Sequence, residues 1–251
     1  MGKLQNKTAL ITGASSGIGK KVAHLFADEG ADVAVNYPDE SQADNARAVV
    51  GEVEKRGRRA LAIQGDVSQA EDCAAMVERF LKEFGHIDIL VNNAGIGRTA
   101  TVDEMSIEMW DEMIAVNLRS VFLMTHNILP HMYAQGHGKI INTASQLAYK
   151  GAPGLAHYTA SKAAIVSFTR SLSLEIGARG INVNCVAPGA TTTPILDGMD
   201  ADIIEAIRQS IPRGRFAVVE EIAPTYVFLA SSDADHFVGQ CLSPNGGDIF
   251  L

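Results

Sequence analysis

One stretch near the start of the chain constrains the fold more than any other. The apolar run Lys7-Thr8-Ala9-Leu10-Ile11 stops at Thr12-Gly13-Ala14-Ser15-Ser16-Gly17-Ile18-Gly19. A segment of helical apolar period follows at once, with Ile18, Val22, Leu25 and Phe26 on one side and Gly30 at its end. Strand, glycine-rich turn and helix in that order leave the backbone free to approach a ligand closely. The first N-H groups of the helix and the positive end of its dipole stabilise negative charge at the same place. Gly13, Ser15, Ser16, Gly17, Ile18 and Gly19 are therefore candidates for holding a pyrophosphate.

The alternation continues along the chain. A second strand, Asp32 to Asn36, precedes a helix from Gln42 to Arg56, and a third, Ala60 to Gln64, precedes a helix from Ala70 to Phe84. Strand Ile87 to Val91 opens into Asn92-Asn93-Ala94-Gly95, followed by one long helix from Ile107 to Tyr133. After the strand Gly138 to Ala144 come a helix containing Tyr158 and running to about Ala178, the strand Ile181 to Val186, a helix Val219 to Ser231 and a strand Gly239 to Ser243. Alternating strands and helices predict an α/β fold: a Rossmann-like, doubly wound parallel sheet flanked by helices, in a single domain over 1–251. The segment from about 190 to 217, with a short helix near Asp202 to Gln209, reads as an insertion placed to close over a substrate.

Composition removes several classes. No apolar run reaches the roughly 18 to 20 residues of a membrane span, and the first residues lack a signal-peptide core, so a soluble, cytoplasmic protein is expected. A net charge of −8 disfavours binding to a nucleic-acid backbone. The basic run Lys55-Arg56-Gly57-Arg58-Arg59 falls where a helix ends, which suits a solvated C-terminus. Three scattered cysteines form no disulfide framework, and the seven histidines lack ligand spacing, so no metal is expected.

The candidate chemistry lies further on. Tyr158 and Lys162 are one helical turn apart on the same face, which sets an ammonium beside a phenol. A phenol titrates at about 10 in water, and a nearby positive charge lowers that value. Such pairs also occur as plain surface contacts, so their meaning depends on the company they keep. Ser145 ends a buried strand, at the edge where open α/β sheets bind ligands. At the tip of the second strand, where an acid often bonds an adenosine ribose, Asn36 and Tyr37 stand instead. No basic residue there awaits a 2′-phosphate, and Asp39 and Glu40 would repel one if they faced inward; NAD is favoured while NADP stays open. Asp66 is placed to accept from an adenine amino group with Val67 covering the ring; alternatively Asp66 caps the next helix, a role that Ser68 suits better. Asn93, Ala94 and Gly95 let the backbone pass beneath a flat ligand. Asn117, between Val116 and Leu118 in mid-helix, sits inside and needs partners.

Together these stretches resemble the short-chain dehydrogenase/reductase family over essentially the whole chain. Gly13-xxx-Gly17-x-Gly19 looks like its cofactor turn, Asn92-Asn93-Ala94-Gly95 like its central sheet motif, and Ser145 with Tyr158-xxx-Lys162 like its catalytic signature. Asn117 matches the fourth catalytic position. Pro188 and Gly189, with Thr191 and Thr193, match the loop that holds the nicotinamide carboxamide. The likeness is greatest to bacterial 3-oxoacyl-acyl-carrier-protein reductases, glucose 1-dehydrogenases and related polyol dehydrogenases. It departs from the carrier-protein reductases at Ser16, often arginine there, and at Ser243-Pro244-Asn245, where a Val-Asp pair is common. The resemblance implies NAD or NADP as cofactor and hydride transfer to or from a carbonyl or secondary alcohol. It gives Tyr158 as acid or base, Ser145 as donor to the substrate oxygen, Lys162 on the phenol and the nicotinamide ribose, and Asn117 holding a water. Substrate would face Ser145, Gln146, Leu147, Tyr149, Gly154, His157, Tyr158 and the segment Ala190 to Met199. Gln146, Tyr149 and His157 suit a small polyol, sugar or ketone over an acyl chain, though each could instead support a loop or a neighbouring subunit. The alternatives are a 3-oxoacyl-carrier-protein or CoA reductase and, in a different class, an NAD(P)-sensing regulator without turnover. By similarity to the family a homotetramer, or failing that a dimer, is expected; the long helix, the Tyr158 helix and the apolar tail Ile249-Phe250-Leu251 fit such contacts.

Overall fold

The computed structural model describes residues 2–194 and 201–250. Seven parallel strands form one sheet in the order β3-β2-β1-β4-β5-β6-β7: β1 (Thr8–Ile11), β2 (Asp32–Tyr37), β3 (Ala60–Gln64), β4 (Ile89–Asn92), β5 (Gly138–Thr143), β6 (Ile181–Val186) and β7 (Cys241–Leu242). Neighbouring residues of one strand serve opposite faces. Ala9, Ile11, Val33, Val35 and Val91 pack with helices α1 (Gly17–Asp28), α2 (Ala43–Lys55) and α8 (Val219–Ala230). Leu10, Ala34, Leu90, Ile140 and Val183 pack with α3 (Ala70–Phe84), α5 (Ser120–Gln135) and α6 (Ala156–Ile176). A sheet covered on both faces has apolar runs rather than apolar-polar alternation, which is why β1 is buried throughout.

The strand order reverses between β1 and β4. The crevice outside their carboxyl ends is where an open α/β sheet takes a ligand, and the Thr12–Gly19 turn and the Asn92–Gly95 segment leave the sheet there. Among the described residues no helix is long and apolar enough to cross a membrane.

Several boundaries differ from the sequence expectation. The long helix over 107–133 is three pieces: α4 (Ile107–Ile114), a π-helical stretch Ala115–Arg119, and α5. The widened turn is centred on the buried Asn117, whose amide is drawn out to the backbone of Ile96; such bulges interrupt helices where a side chain has business elsewhere. Ser68 does not cap α3. Gln69 holds that position without a side-chain bond, and Asp66 Oδ1 accepts from the Ser68 N-H at 2.9 Å, closing the turn before it. The basic run closes on acids: Arg56 on Asp28, Arg58 on Asp32 and Arg59 on Glu83. Between β6 and α8, α7 (Ala201–Ser210) follows residues 195–200, so half of the expected substrate segment Ala190 to Met199 lies outside the described residues, as does Leu251 of the tail.

Candidate active site

The glycine turn is built for close approach. Gly13 and Gly17 have φ of +60° and +54°, in the left-handed region that favours glycine. A Cβ on Gly19 would meet Asn93 Nδ2 at 2.5 Å and the Gly13 carbonyl at 2.6 Å. Ser16 stands at the N-cap of α1 with no side-chain cap bond, and the first turn holds no acid, so the helix's free N-H groups keep their positive field. The Thr12 hydroxyl accepts from the Asn93 and Ala94 N-H groups at 2.9 and 3.0 Å, and Asn93 Nδ2 donates to the Thr12 and Gly13 carbonyls. These bonds tie the end of β4 to the turn after β1. The cradle has the small residues and oriented donors that a dinucleotide's pyrophosphate requires.

Around the cradle the expected residues divide. Asn36 does not reach outward from the tip of β2: it is buried, Oδ1 accepts from the Gly13 N-H at 3.1 Å and Nδ2 donates to the Gly65 carbonyl at 3.0 Å. It holds the turn from beneath, because β2 runs one residue further to Tyr37. Tyr37 is half-buried against the core. Ser15 is buried and donates to Gln42. Asp39 accepts from the N-H and hydroxyl of Ser41, capping its own 3-10 turn. Its charge is thus committed locally, which weakens the repulsion argument against a 2′-phosphate. Val67 is buried in the core behind β3, and Ile18 packs at the core's margin. On the far side, Gly189 lies so close to the tail that a Cβ would meet Asn245 Cα at 2.6 Å, and the Pro188 carbonyl accepts from the Gln146 N-H. Thr191 is buried with its hydroxyl on the Gly189 carbonyl, and Thr193 faces Gly17 across ordinary van der Waals distance. The loop 188–194 therefore folds back over the glycine turn.

At the centre, Ser145 follows β5 and precedes a 3-10 turn, and its hydroxyl lies beside the Tyr158 phenol. Tyr158 is the third residue of α6, and Lys162 lies one turn along with Nζ 5.6 Å from the phenol ring centroid. Lys162 is buried and donates to the Thr143 carbonyl at 2.9 Å. Burial pushes its ammonium down to about 8. The phenol runs against expectation: burial holds Tyr158 above its ordinary value, with the Ser145 hydroxyl acting in the opposite direction. Desolvation dominates both groups, raising the phenol and lowering the ammonium. Asn117 is fully buried, with Oδ1 accepting from the Ile96 N-H at 2.8 Å and Nδ2 donating to the Ile96 carbonyl at 2.9 Å. That side chain thus grips the main chain of Ile96 at both ends. A Cβ on Gly95 would lie 3.3 Å from Asn117 Oδ1 and 3.4 Å from Lys162 Nζ, so bare backbone separates the two.

The expected substrate wall is only partly assembled. Gln146 is buried and Leu147 half-buried beside Ser145. Tyr149 is more exposed, and burial, together with the nearby Cys241 thiol of β7, pushes its phenol up. Gly154, at φ +72°, is a packing residue: a Cβ there would strike Thr99 Cγ2 at 2.6 Å. His157 is fully buried in α6, neither ring nitrogen has a partner among the described residues, and burial lowers its pKa. Sequence reasoning placed Thr12 in the glycine turn without a role for its hydroxyl, and missed Thr143 and Asp248. Thr143 acts through its carbonyl, which no side-chain pattern announces, whereas Asp248 is an acid in an otherwise apolar, glycine-rich tail and was visible.

The comparisons with known proteins agree with this geometry. A family model described as enoyl-(acyl carrier protein) reductase matches residues 13–248. The 3-oxoacyl-(acyl-carrier-protein) reductase of Staphylococcus aureus is 41% identical over 241 residues, covering 96% of this chain and 97% of its own. A subunit of a hydroxy(phenyl)methyl-succinyl-CoA dehydrogenase from Thauera aromatica is 41% identical, covering 97% of each chain. The structure of a short chain dehydrogenase from Burkholderia cenocepacia in complex with NADP superposes with a TM-score of 0.91 at 37% identity, covering 98% of this chain and 99% of that one. The fold and cradle thus define a nucleotide-dependent oxidoreductase. The chain belongs to the short-chain dehydrogenase/reductase family, whose members act with NAD or NADP on CH-OH and carbonyl groups.

Proposed function

We propose that the protein moves a hydride between a nicotinamide and the carbonyl or secondary alcohol carbon of a small hydroxylated compound, sugar or ketone, using Ser145, Tyr158, Lys162 and Asn117. The observation that carries this is the placing of the Ser145 hydroxyl beside the Tyr158 phenol, with Lys162 one turn along, at the carboxyl edge of the sheet. Gly13, Ser15, Ser16, Gly17, Ile18, Gly19, Asn93, Ala94, Gly95, Pro188, Gly189, Thr191 and Thr193 would hold the dinucleotide, with Tyr37, Asp66 and Val67 toward its adenosine end and Asn36 supporting the turn from below. The bound nicotinamide supplies or accepts the hydride.

In the reducing direction, Tyr158 donates its phenolic proton to the substrate oxygen; in the oxidising direction the phenolate takes it back. Ser145 donates a hydrogen bond to that oxygen as charge gathers there. Lys162, held by the Thr143 carbonyl, keeps a positive charge behind the phenol and reaches toward the nicotinamide ribose. Asn117 grips the backbone of Ile96, keeps the bare Gly95 main chain against Lys162, and keeps a water in place that links Lys162 to bulk solvent. Segment 190–217 acts as the substrate loop of a single domain.

A second reading, reduction of a 3-oxoacyl group on a carrier protein or CoA, is supported by the names of the Staphylococcus and Thauera relatives. NAD is favoured over NADP by the lack of a basic residue at the tip of β2, although the committed Asp39 leaves room for either. A cytoplasmic homotetramer is proposed, supported by apolar side chains exposed on α5, α6 and the tail, namely Phe122, Leu174 and Phe250. An initial-rate screen of polyols, sugars, ketones and 3-oxoacyl thioesters, each with both coenzymes, tests the assignment. Tyr158→Phe is expected to lower kcat on the order of 10² to 10⁴ with coenzyme affinity nearly intact; undiminished turnover by that variant would remove Tyr158 from the mechanism.

A further inference from the structure

We infer that Asp248, in the C-terminal tail, fixes the polarity of the Gln146 side chain so that the site presents a hydrogen-bond acceptor beside Ser145. The substrate it selects is then a ketone or secondary alcohol bearing its own hydroxyl next to the reacting carbon. This rests on the reading of Ser145 and Tyr158 as the reacting centre.

Gln146 is 4% exposed and immediately follows Ser145, and its backbone N-H is used on the Pro188 carbonyl. Its Nε2 donates to Asp248 Oδ2 at 2.5 Å. Asp248 has a side chain only 3% exposed, and both its oxygens accept from Lys150 Nζ at 2.6 Å. A carboxylate paired with an ammonium accepts and does not donate. The usual ambiguity of an amide's two ends is therefore resolved chemically, because only the nitrogen can face Asp248. Oε1 is left as the one polar atom of Gln146 without a partner among the described residues, and it is buried. A buried acceptor in that state is stabilised by any ligand that brings a donor.

On this inference Oε1 faces the substrate that Ser145 holds. Ser145 supplies a donor for the reacting oxygen, and its neighbour supplies an acceptor, so a hydroxy ketone or vicinal diol satisfies both. A 3-oxoacyl thioester has a methylene next to the reacting carbon, and its second oxygen, one carbon further on, is a carbonyl that cannot donate to Oε1. The tail is held in reach by Asn245, whose side chain bonds the Gly247 N-H, the Ser243 hydroxyl and the Ile249 carbonyl. The residue that sets substrate polarity thus lies far from the catalytic signature in the chain.

The test is a comparison of kcat/KM for acetoin, butanone and acetoacetyl-CoA with the coenzyme the enzyme prefers, in wild type, Gln146→Leu and Asp248→Asn. Sites that bond a substrate hydroxyl reject analogues lacking it strongly, so wild type is expected to favour acetoin over butanone at least about tenfold. Gln146→Leu should abolish that preference. Asp248→Asn, whose amide can pair with Gln146 in either orientation, should reduce it several-fold, with coenzyme KM unchanged in both variants. The ratio is taken on one enzyme preparation, so partial misfolding does not move it. A ratio unchanged in both variants, or a wild type that prefers acetoacetyl-CoA to acetoin, overturns the inference while leaving the oxidoreductase reading standing. Absence of turnover with all three substrates overturns both.

Discussion

Two buried charges sit at opposite edges of the same sheet and are treated in opposite ways. At the amino edge Asp88 is surrounded by donors: the Thr8 N-H at 2.9 Å, Lys7 Nζ at 3.0 Å, and the ring nitrogens of His86 and His137 at 3.1 Å each. Burial pushes that carboxyl up, but the Thr8 N-H and Lys7 outweigh it and hold it below its usual range. At the carboxyl edge Lys162 has, among the described residues, the Thr143 carbonyl alone, and burial drives its ammonium down to about 8. His157 and Gln146 nearby keep unpartnered polar atoms. Asp88 is satisfied and adds stability, although Arg58 Nε at the same edge lacks a partner among the described residues; the groups around Lys162 are left short of partners that a ligand can supply. Incomplete hydrogen bonding in a native structure is thus a guide to where it binds.

The strongest way to break this contrast is to fill the cradle itself. Gly19→Val places carbon where Asn93 Nδ2 and the Gly13 carbonyl already stand, and coenzyme affinity should fall more than about a hundredfold, the loss of several contacts at once; calorimetric titration with NADH and NADPH measures it. Next, Lys162→Met removes a charge the fold stabilises poorly. Turnover should drop by about 10² or more, while Tm near neutrality holds or rises, since an apolar residue of similar volume avoids the desolvation cost. A large fall in Tm would mean that Lys162 is a structural partner like Asp88.

The smallest effect is expected at the satisfied edge. Asp88→Asn should cost about 1 to 3 kcal/mol of stability and leave kcat per folded molecule unchanged, as read from denaturant unfolding alongside activity. Its sign with pH follows from the depressed carboxyl. The folded state binds its proton less readily than the unfolded chain, so the contribution is present above the ordinary carboxylate range and is lost as pH falls through the lower folded value. Wild type should therefore lose Tm on acidification more steeply than Asp88→Asn; parallel curves would show that the carboxylate contributes nothing there.

Much of this was legible in the residues. The Gly13, Gly17 and Gly19 turn between a strand and a helix names its own backbone geometry, and α3 and β6 begin and end where their apolar periods do. Tyr158 and Lys162 share a helix face by spacing alone. The bent helix around Asn117 was signalled by an amide between apolar residues, but its form was not, because its partner is the main chain of Ile96. Gly154 and Tyr149 read as cleft residues on proximity to Tyr158; the close packing of Gly154 on Thr99 and the nearness of Tyr149 to Cys241 were not legible, because both depend on contacts with distant segments.

The sequence by itself determined the sheet, its cradle and the order of reactive groups, since these follow from local periodicity and from residues a few positions apart. Only the tertiary structure decided that Asn36 points under the turn, that burial raises the Tyr158 phenol, and that Asp248 meets Gln146. Those outcomes depend on desolvation and on contacts between distant segments, and neither quantity exists until the chain has closed on itself.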